Sequence, residues 1–320
     1  MSKKSIVVFG AGGFIGGNLS KRLSDQGHSV IGVDIENNKY ISNCFTEFYL
    51  CDLRKIDDMR KVIPDNVDEL YQLAADMGGA TYISSGSYDA DIMTNSVIIN
   101  TNTLMVCVEK KVKKLFYSSS ACVYPEYNQL DPKNPMCSEH SVYPAEPDTE
   151  YGWEKLFSER LYKAYEKQYG LNIRIARFHN IYGPYGTYSG GKEKAPAALC
   201  RKVFSNESSI DIIGDGEQTR SFLYIDDCLD AIALLMESDH KDPINIGSEE
   251  MVTINTLSKI VLKHSKKNLT FNYITGPQGV RGRNSDNTII RSVLNWEPKY
   301  SLDSGIEKTY AWISDQLRCS

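Results

Sequence analysis

The segment Gly10-Ala11-Gly12-Gly13-Phe14-Ile15-Gly16 directly follows the apolar run Ile6-Val7-Val8-Phe9 and opens a helical pattern through Asn18, Leu19 and Leu23. A strand that passes into a helix through such glycines reads as a phosphate-binding turn. Gly10, Gly13 and Gly16 let the backbone turn sharply, approach a pyrophosphate and pack helix against sheet, with the ligand's charge resting on the helix N-terminus. Asp34 closes a second apolar run 18 residues after Gly16. A carboxylate there accepts from ribose hydroxyls and repels a 2'-phosphate, so the pair points to NAD rather than NADP. Asp52, after a third run, is a candidate for the adenine amino group or, as a plainer alternative, a helix cap.

Strand-like runs at 5–9, 29–34, 47–50, 69–73, 114–118 and 172–177 alternate with amphipathic helical stretches, and no internal repeat interrupts them. Such βαβ order requires a parallel sheet covered on both faces. The predicted fold is α/β, a Rossmann-type doubly wound parallel sheet with a smaller mixed C-terminal domain. Gly183, Pro184, Gly186, Gly190 and Gly191 change the texture near residue 180. The expected division is a cofactor-binding domain over 1–179 and a mainly substrate-binding domain over 180–320, some of whose segments return to the first. The polar stretches 213–220 and 276–283 carry arginines and read as ligand loops.

With 320 residues, 41% of them apolar, the chain has material for two domains or one elaborated one. Its 36 Lys+Arg against 41 Asp+Glu form no long block of one sign, which argues against a nucleic-acid or membrane-surface partner. No apolar stretch approaches a bilayer span and no signal-like region opens the chain, so a soluble, cytoplasmic protein is expected. Eight cysteines lack a CxxC pair or histidines at ligand spacing, which argues for reduced thiols and against a metal.

Tyr151 and Lys155 stand four residues apart, on one face of a helix. Ser118-Ser119-Ser120 ends the fifth run, where open α/β sheets bind ligands. A cation beside the phenol is expected to depress its pKa from about 10, making Tyr151 a base for an alcohol whose hydride leaves to nicotinamide.

The glycine turn, Asp34, Ser120 and the Tyr151/Lys155 pair resemble the extended short-chain dehydrogenases/reductases that act on nucleotide sugars, the NAD-dependent epimerase/dehydratase family, over essentially the whole chain. The closer similarity is to the GDP-mannose 3,5-epimerase family. It runs through 73–79, 118–126, 145–147, 177–184, 193–198, 216–222 and 279–287. The resemblance implies an NAD site at Gly10, Gly13, Phe14, Ile15, Gly16, Asp34, Asp52, Leu73, Ala74, Ala75, Tyr151 and Lys155. It also implies transient oxidation at C4 of the sugar, inversion at C3 and C5, and return of the hydride. Cys122 discriminates, because related 4,6-dehydratases place Asp-Glu after the equivalent hydroxyl residue and 4-epimerases commonly Ala-Thr, whereas this chain has Ala121-Cys122.

A C4 ketone acidifies the protons on C3 and C5, and inversion needs one group to remove a proton and another to return it from the opposite face. Cys122 and Lys194 are the expected pair, the lysine being lowered among Lys192, Arg201 and Lys202 or by partial desolvation. Without the resemblance, Cys122 reads as a small buried hydrophobe and Lys194 as a solvated loop charge. Lys202, Arg220 and Arg283 are expected to neutralise a substrate pyrophosphate. Gly79, Ser120, Asn180, Glu193, Ala195 and Gln218 complete the expected substrate site. His179 reads as structural, and the other seven cysteines as packing or surface residues.

After Gly78-Gly79 the family pattern continues Met-Gly-Phe where this chain has Ala80-Thr81-Tyr82, a difference beside the sugar. The alternatives are a GDP-fucose synthase-like epimerase/reductase, which consumes NADPH and uses a histidine acid, and an epimerase or dehydratase of another NDP-hexose or heptose. A non-catalytic NAD-sensing or RNA-binding scaffold would have lost the catalytic residues that are present here. Excess apolar residues in 95–108 and 151–169, with the resemblance, imply a homodimer.

Overall fold

The computed structural model of the chain describes residues 3–276 and 279–319. Seven parallel strands build its main sheet: β1 Ser5–Phe9, β2 Ser29–Asp34, β3 Glu47–Leu50, β4 Glu69–Gln72, β5 Leu115–Ser120, β6 Ile173–Phe178 and β7 Ile244–Ile246. They lie side by side in the order β7-β6-β5-β4-β1-β2-β3, with Val7 opposite Ile31 on one side of β1 and Leu70 on the other. Ile6, Val7, Val8 and Phe9 are wholly buried, as a strand must be when helices cover both faces of its sheet. The first six strands are those read from the sequence. β5 runs on to Ser120, so the three serines are the strand's own end. β7 leaves no trace in the sequence, because the three residues Ile-Asn-Ile are too few to display a period.

Helix α1 (Phe14–Asp25) follows the glycine turn, and α2 (Asp89–Glu109) packs against α3 (Glu150–Tyr169). Thr149 starts α3 by accepting the Gly152 N–H at 3.2 Å, and Gly170 ends it with φ 72°. Beyond residue 180 come α4 (Ala195–Ser205) and α5 (Ile225–Glu237). Buried residues of α4 (Leu199, Cys200, Val203) and of α5 (Leu229, Ile232) join Ile6, Val8 and Phe116 of the main sheet in one apolar cluster. A small sheet sets Thr219–Ser221 between Met251–Thr253 and Gly282–Arg283, with Arg220 directly beside Arg283. The stretches 213–220 and 276–283 therefore end as paired strands. Pro277, Gln278 and the side chains of Ala80 and Thr81 lie outside the described residues. Among the described residues no helix is long and apolar enough to cross a membrane.

Candidate active site

The strand order reverses between β1 and β4, which opens a crevice at the C-terminal ends of the strands. A cleft of about 910 Å³ occupies it, running from the glycine turn to the loops beyond residue 180. Gly10 turns with φ +76°, and a Cβ on it would lie 2.8 Å from the Ala74 nitrogen. A Cβ on Gly16 would lie 2.1 Å from the Gly10 carbonyl. The turn is thus folded tightly onto itself and onto the end of β4, with no side chain to bar a phosphate. Gly13 caps α1 without a side-chain bond, and the first turn of α1 holds no acidic residue, so its N-terminal dipole is uncompensated.

Asp34 accepts the Gly12 N–H at 2.8 Å and the Ile35 N–H at 2.7 Å. Burial raises its pKa, and these N–H groups pull it back. Oδ1 also accepts the Glu36 N–H at 3.3 Å, and Oδ2, with the Gly12 N–H alone described on it, keeps capacity for a ribose hydroxyl. Phe14, Ile15, Leu73, Ala74 and Ala75 line the same cleft. Asp52 lines it too, but its two oxygens are held by the Arg54 guanidinium, both at 2.9 Å. The Arg54 hydrogen bond keeps its pKa below the usual carboxylate value. Asp52 does not cap the following helix, Ile56–Val62, where Lys55 takes that position. Glycine turn, helix end and ribose-facing carboxylate together fit a dinucleotide.

Beside this half, the Lys155 Nζ donates to the Ser118 carbonyl at 3.0 Å. It lies 5.1 Å from the Tyr117 ring centre and 5.7 Å from that of Tyr151. The phenol does not behave as the sequence predicts. Burial raises the Tyr151 pKa above its ordinary value, Cys122 and Glu154 add to the rise, and Ser120 and Arg283 pull against it. The cost of desolvating a phenolate exceeds what one neighbouring ammonium returns. Lys155 is itself lowered by burial.

Cys122 sits in a single 3-10 turn, Ala121–Val123, whose first N–H bonds include Cys122 to the Ser120 hydroxyl at 3.2 Å. It packs in one cluster with Ile92 and Tyr151, edged by Met77, Tyr82 and Ile83. The Arg283 guanidinium reaches its sulfur at 3.0 Å. Lys194 is the N-cap of α4 and lines the same cleft. Burial lowers its pKa, and Cys122 is the first of the groups that raise it again. Burial, one of the two causes expected, supplies that depression, and the neighbouring cations make their contacts elsewhere. Lys192 faces Asp76 at 3.6 Å and the Tyr82 ring at 4.1 Å. Arg201 pairs with Glu193 at 2.9 Å, and Lys202 donates to the Asp211 carbonyl at 2.9 Å.

The model of the NAD dependent epimerase/dehydratase family matches residues 6–247. The chain belongs to this family. Its cofactor is accordingly NAD, which the glycine turn and Asp34 fit. The chain is 46% identical over 318 residues to GDP-mannose 3,5-epimerase 1 of Oryza sativa subsp. indica, covering 98% of this chain and 83% of that protein. It is 27% identical to the GDP-L-fucose synthase of Escherichia coli, over 98% of this chain and 97% of that one. Among solved structures, UDP-glucuronic acid 4-epimerase from Bacillus cereus in complex with UDP-glucuronic acid and NAD superposes with TM-score 0.81 at 27% identity, covering 98% and 99% of the two chains.

In this epimerase-family chain the remaining expected residues line the cleft as well. Asn180 donates to the Ser221 carbonyl at 2.9 Å. Gln218 donates to the Ile213 carbonyl at 3.1 Å, and its buried Oε1 has no hydrogen-bond partner among the described residues. Glu193 is spoken for by Arg201 and by the Gly191 N–H at 2.7 Å. Gly79 donates to the Lys192 carbonyl at 3.0 Å, and a Cβ on it would lie 2.3 Å from the Glu193 carbonyl, so it lets the loop after β4 touch the loop that ends in Lys194 and Ala195. Arg220 gives N–H groups to the Thr219 and Val280 carbonyls, both at 2.7 Å. Burial, then Arg283, holds its pKa down to about 10.

Arg283, expected at a pyrophosphate, is wrapped by protein: Nε meets Gln129, one terminal nitrogen Cys122, the other Asp148 at 3.2 Å. Sequence reasoning missed Gln129 and Asp148. The second directly follows the 145–147 motif, and the first carries no sequence signal at all. His179 is buried off the cleft with Nε2 2.9 Å from Asn245, and burial pushes its pKa down to about 3. Cys44, Cys51, Cys107, Cys137, Cys200 and Cys228 are buried and Cys319 is exposed.

Proposed function

We propose that this chain is a GDP-mannose 3,5-epimerase, and the observation that carries the reading is that Cys122 and Lys194 share one cleft with Tyr151 and Lys155. A 4-epimerase needs only the oxidation pair. A thiol and an ammonium beside that pair supply what two further inversions require, one group to take a proton and one to give it. Tyr151 takes the proton of the C4 hydroxyl, helped by Ser120 and Lys155. When bound at the glycine turn and Asp34, NAD would supply the acceptor for the C4 hydride and its source on return. Cys122 removes the proton that the C4 ketone has acidified, and Lys194 protonates the opposite face. The hydride returns to C4, each proton that Cys122 removes passes to solvent, and Lys194 replaces it with one taken from solvent, so the sum is isomerisation with no net redox change.

Gly10, Gly13, Phe14, Ile15, Gly16, Asp34, Asp52, Leu73, Ala74 and Ala75 hold the dinucleotide in this reading, within a domain of residues 1–179. Gly79, Asn180, Glu193, Ala195, Lys202, Gln218 and Arg220 hold the nucleotide sugar, mainly from residues 180–320. Lys202, whose hydrogen bond goes to the neutral Asp211 carbonyl, faces the diphosphate together with Arg220. Arg283, which also lines the cleft, is assigned to the diphosphate with them while one of its terminal nitrogens holds the thiol. The enzyme works as a cytoplasmic homodimer; Ile98 and Met105 of α2 and Trp153 and Phe157 of α3 are exposed apolar residues that a second copy would cover. Light scattering at micromolar concentration should give twice the 36.0 kDa chain mass, and the monomer mass would refute the pairing.

The activity is tested by incubating the pure protein in deuterated water with GDP-mannose and, separately, UDP-glucose. Deuterium should enter GDP-mannose at C3 and C5 with no stoichiometric change in nicotinamide redox state. Deuterium in neither position, or steady consumption of NADPH as in a reductase, would overturn the reading.

A further inference from the structure

Arg283 is held by three side chains that are far apart in sequence. Its Nε is bonded to the Gln129 Oε1, one terminal nitrogen lies 3.0 Å from the Cys122 sulfur, and the other lies 3.2 Å from Asp148 Oδ1. The orientation of Gln129 is settled by its own amide nitrogen, which donates to the Tyr124 carbonyl at 3.0 Å and the Pro125 carbonyl at 3.1 Å. Only its oxygen is left to face the arginine. Gly282, next in the chain, brings this strand onto the loop that carries Gln129: a Cβ there would lie 2.7 Å from the Asp131 carbonyl. Asp148 has its side chain about as buried as that of Arg283, with 11% and 9% exposed. A guanidinium is a rigid planar fork, so fixing two of its nitrogens fixes the third.

We propose that Asp148 and Gln129 are positioning residues that act through Arg283, aiming one of its N–H groups at the Cys122 sulfur so that a cation is in place wherever that sulfur carries negative charge. The inference rests on Cys122 being the base of the proposed epimerase. Charge alone predicts the opposite of what positioning predicts, which makes it testable. Asp148 is an anion near the thiol, so removing its charge while Arg283 stays in place favours thiolate and shifts the thiol's titration to lower pH. If Asp148 instead holds the guanidinium in place, its loss lets the cation drift and the titration moves to higher pH.

The experiment measures the rate at which iodoacetamide alkylates Cys122 in the NAD-bound enzyme as a function of pH, with the modified peptide quantified by mass spectrometry so that the other seven cysteines do not count. Asp148→Leu, which removes the acceptor together with the charge, should move the midpoint up by about one pH unit, as loss of a close opposite charge does. Gln129→Leu, which removes no charge, should move it in the same direction. Urea unfolding of each variant identifies any that are unfolded, and one folded variant suffices. A midpoint unmoved or lowered in the folded variants overturns the positioning role. This readout involves no turnover, so it fails or succeeds independently of whether Cys122→Ala still epimerises, which tests the underlying reading.

Discussion

Gly152 and Cys122 are pressed together: a Cβ on Gly152 would lie 2.2 Å from the Cys122 carbonyl oxygen and 2.8 Å from the Pro147 Cβ. The helix that carries Tyr151 and the turn that carries the thiol therefore meet backbone to backbone, next to the phenol itself. No methyl group fits there without moving the turn. Gly152→Ala should leave the protein folded and slow epimerisation by about 10²-fold, as displacement of a catalytic group by about an ångström does. A turnover number within a factor of three of the parent enzyme would mean that the turn gives way at no cost to the site.

Tyr151→Phe separates oxidation from everything after it. Burial keeps the phenol protonated in the protein alone, so it must lose its proton within the assembled site before it can accept one from the sugar. Without that hydroxyl no C4 ketone forms, and the C3 and C5 protons stay unreactive. Both epimerisation and solvent deuterium exchange should vanish together. Exchange that persists in the variant would contradict an oxidation-first sequence.

Asp34→Ala removes the acceptor at the end of β2, together with the carboxylate that holds the Gly12 and Ile35 N–H groups. NAD affinity should fall by roughly 1.5–3 kcal/mol, the worth of a charged hydrogen bond or two. NADP affinity should fall less, or rise, because the repulsion of a 2'-phosphate goes with the charge. Titration calorimetry with both dinucleotides reads this directly, and unchanged NAD affinity would remove Asp34 from the site.

His179 makes the protein sensitive to acid. Its folded pKa is pushed down to about 3 by burial, whereas the unfolded chain titrates near 6.5. Between those values the unfolded state binds a proton that the folded state refuses. The stability is therefore complete above pH 6.5 and is lost as the pH falls toward 3. At pH 5 this one group costs roughly 2 kcal/mol relative to pH 7.5. Urea unfolding at the two pH values should show His179→Gln losing less stability than the parent by about that amount, and equal losses would assign the acid sensitivity to other groups.

What the sequence makes legible here is whatever residue type and short spacing carry. The glycine turn, Asp34, and Tyr151 four residues before Lys155 are local patterns, and the strands around them are continuous apolar runs. β7 is invisible because three residues hold no period. The clamp on Arg283 is invisible for a different reason: its hydrogen bonds to Gln129 and Asp148 span 154 and 135 residues, and only the 145–147 motif just before Asp148 marks either partner. The direction of the Tyr151 pKa is misjudged because proximity of Lys155 can be read from spacing while burial cannot, and burial is the larger effect. For Lys194 the expected depression is present, and of the two causes named for it desolvation is the one that acts, not the cations around it in sequence.

The roles of Cys122 and Lys194 come apart in their variants. Cys122→Ala leaves Tyr151 and Lys155 in place, so the 4-ketone still forms, but no base reaches C3 or C5. Quenching with borodeuteride should then place deuterium at C4 while solvent deuterium enters neither neighbour. Lys194→Ala keeps the thiol and loses the donor on the opposite face, so protons leave and return on one side. Exchange with retained configuration should outrun inversion, and epimerisation should slow by roughly 10²–10⁴, the worth of a positioned acid or base. Lys194 also lines the cleft, so some of its loss will register as a higher KM and not only a lower kcat. If Cys122→Ala epimerises at near the parent rate, its sulfur is packing against Ile92 and Tyr151 and nothing more, and the base assignment falls.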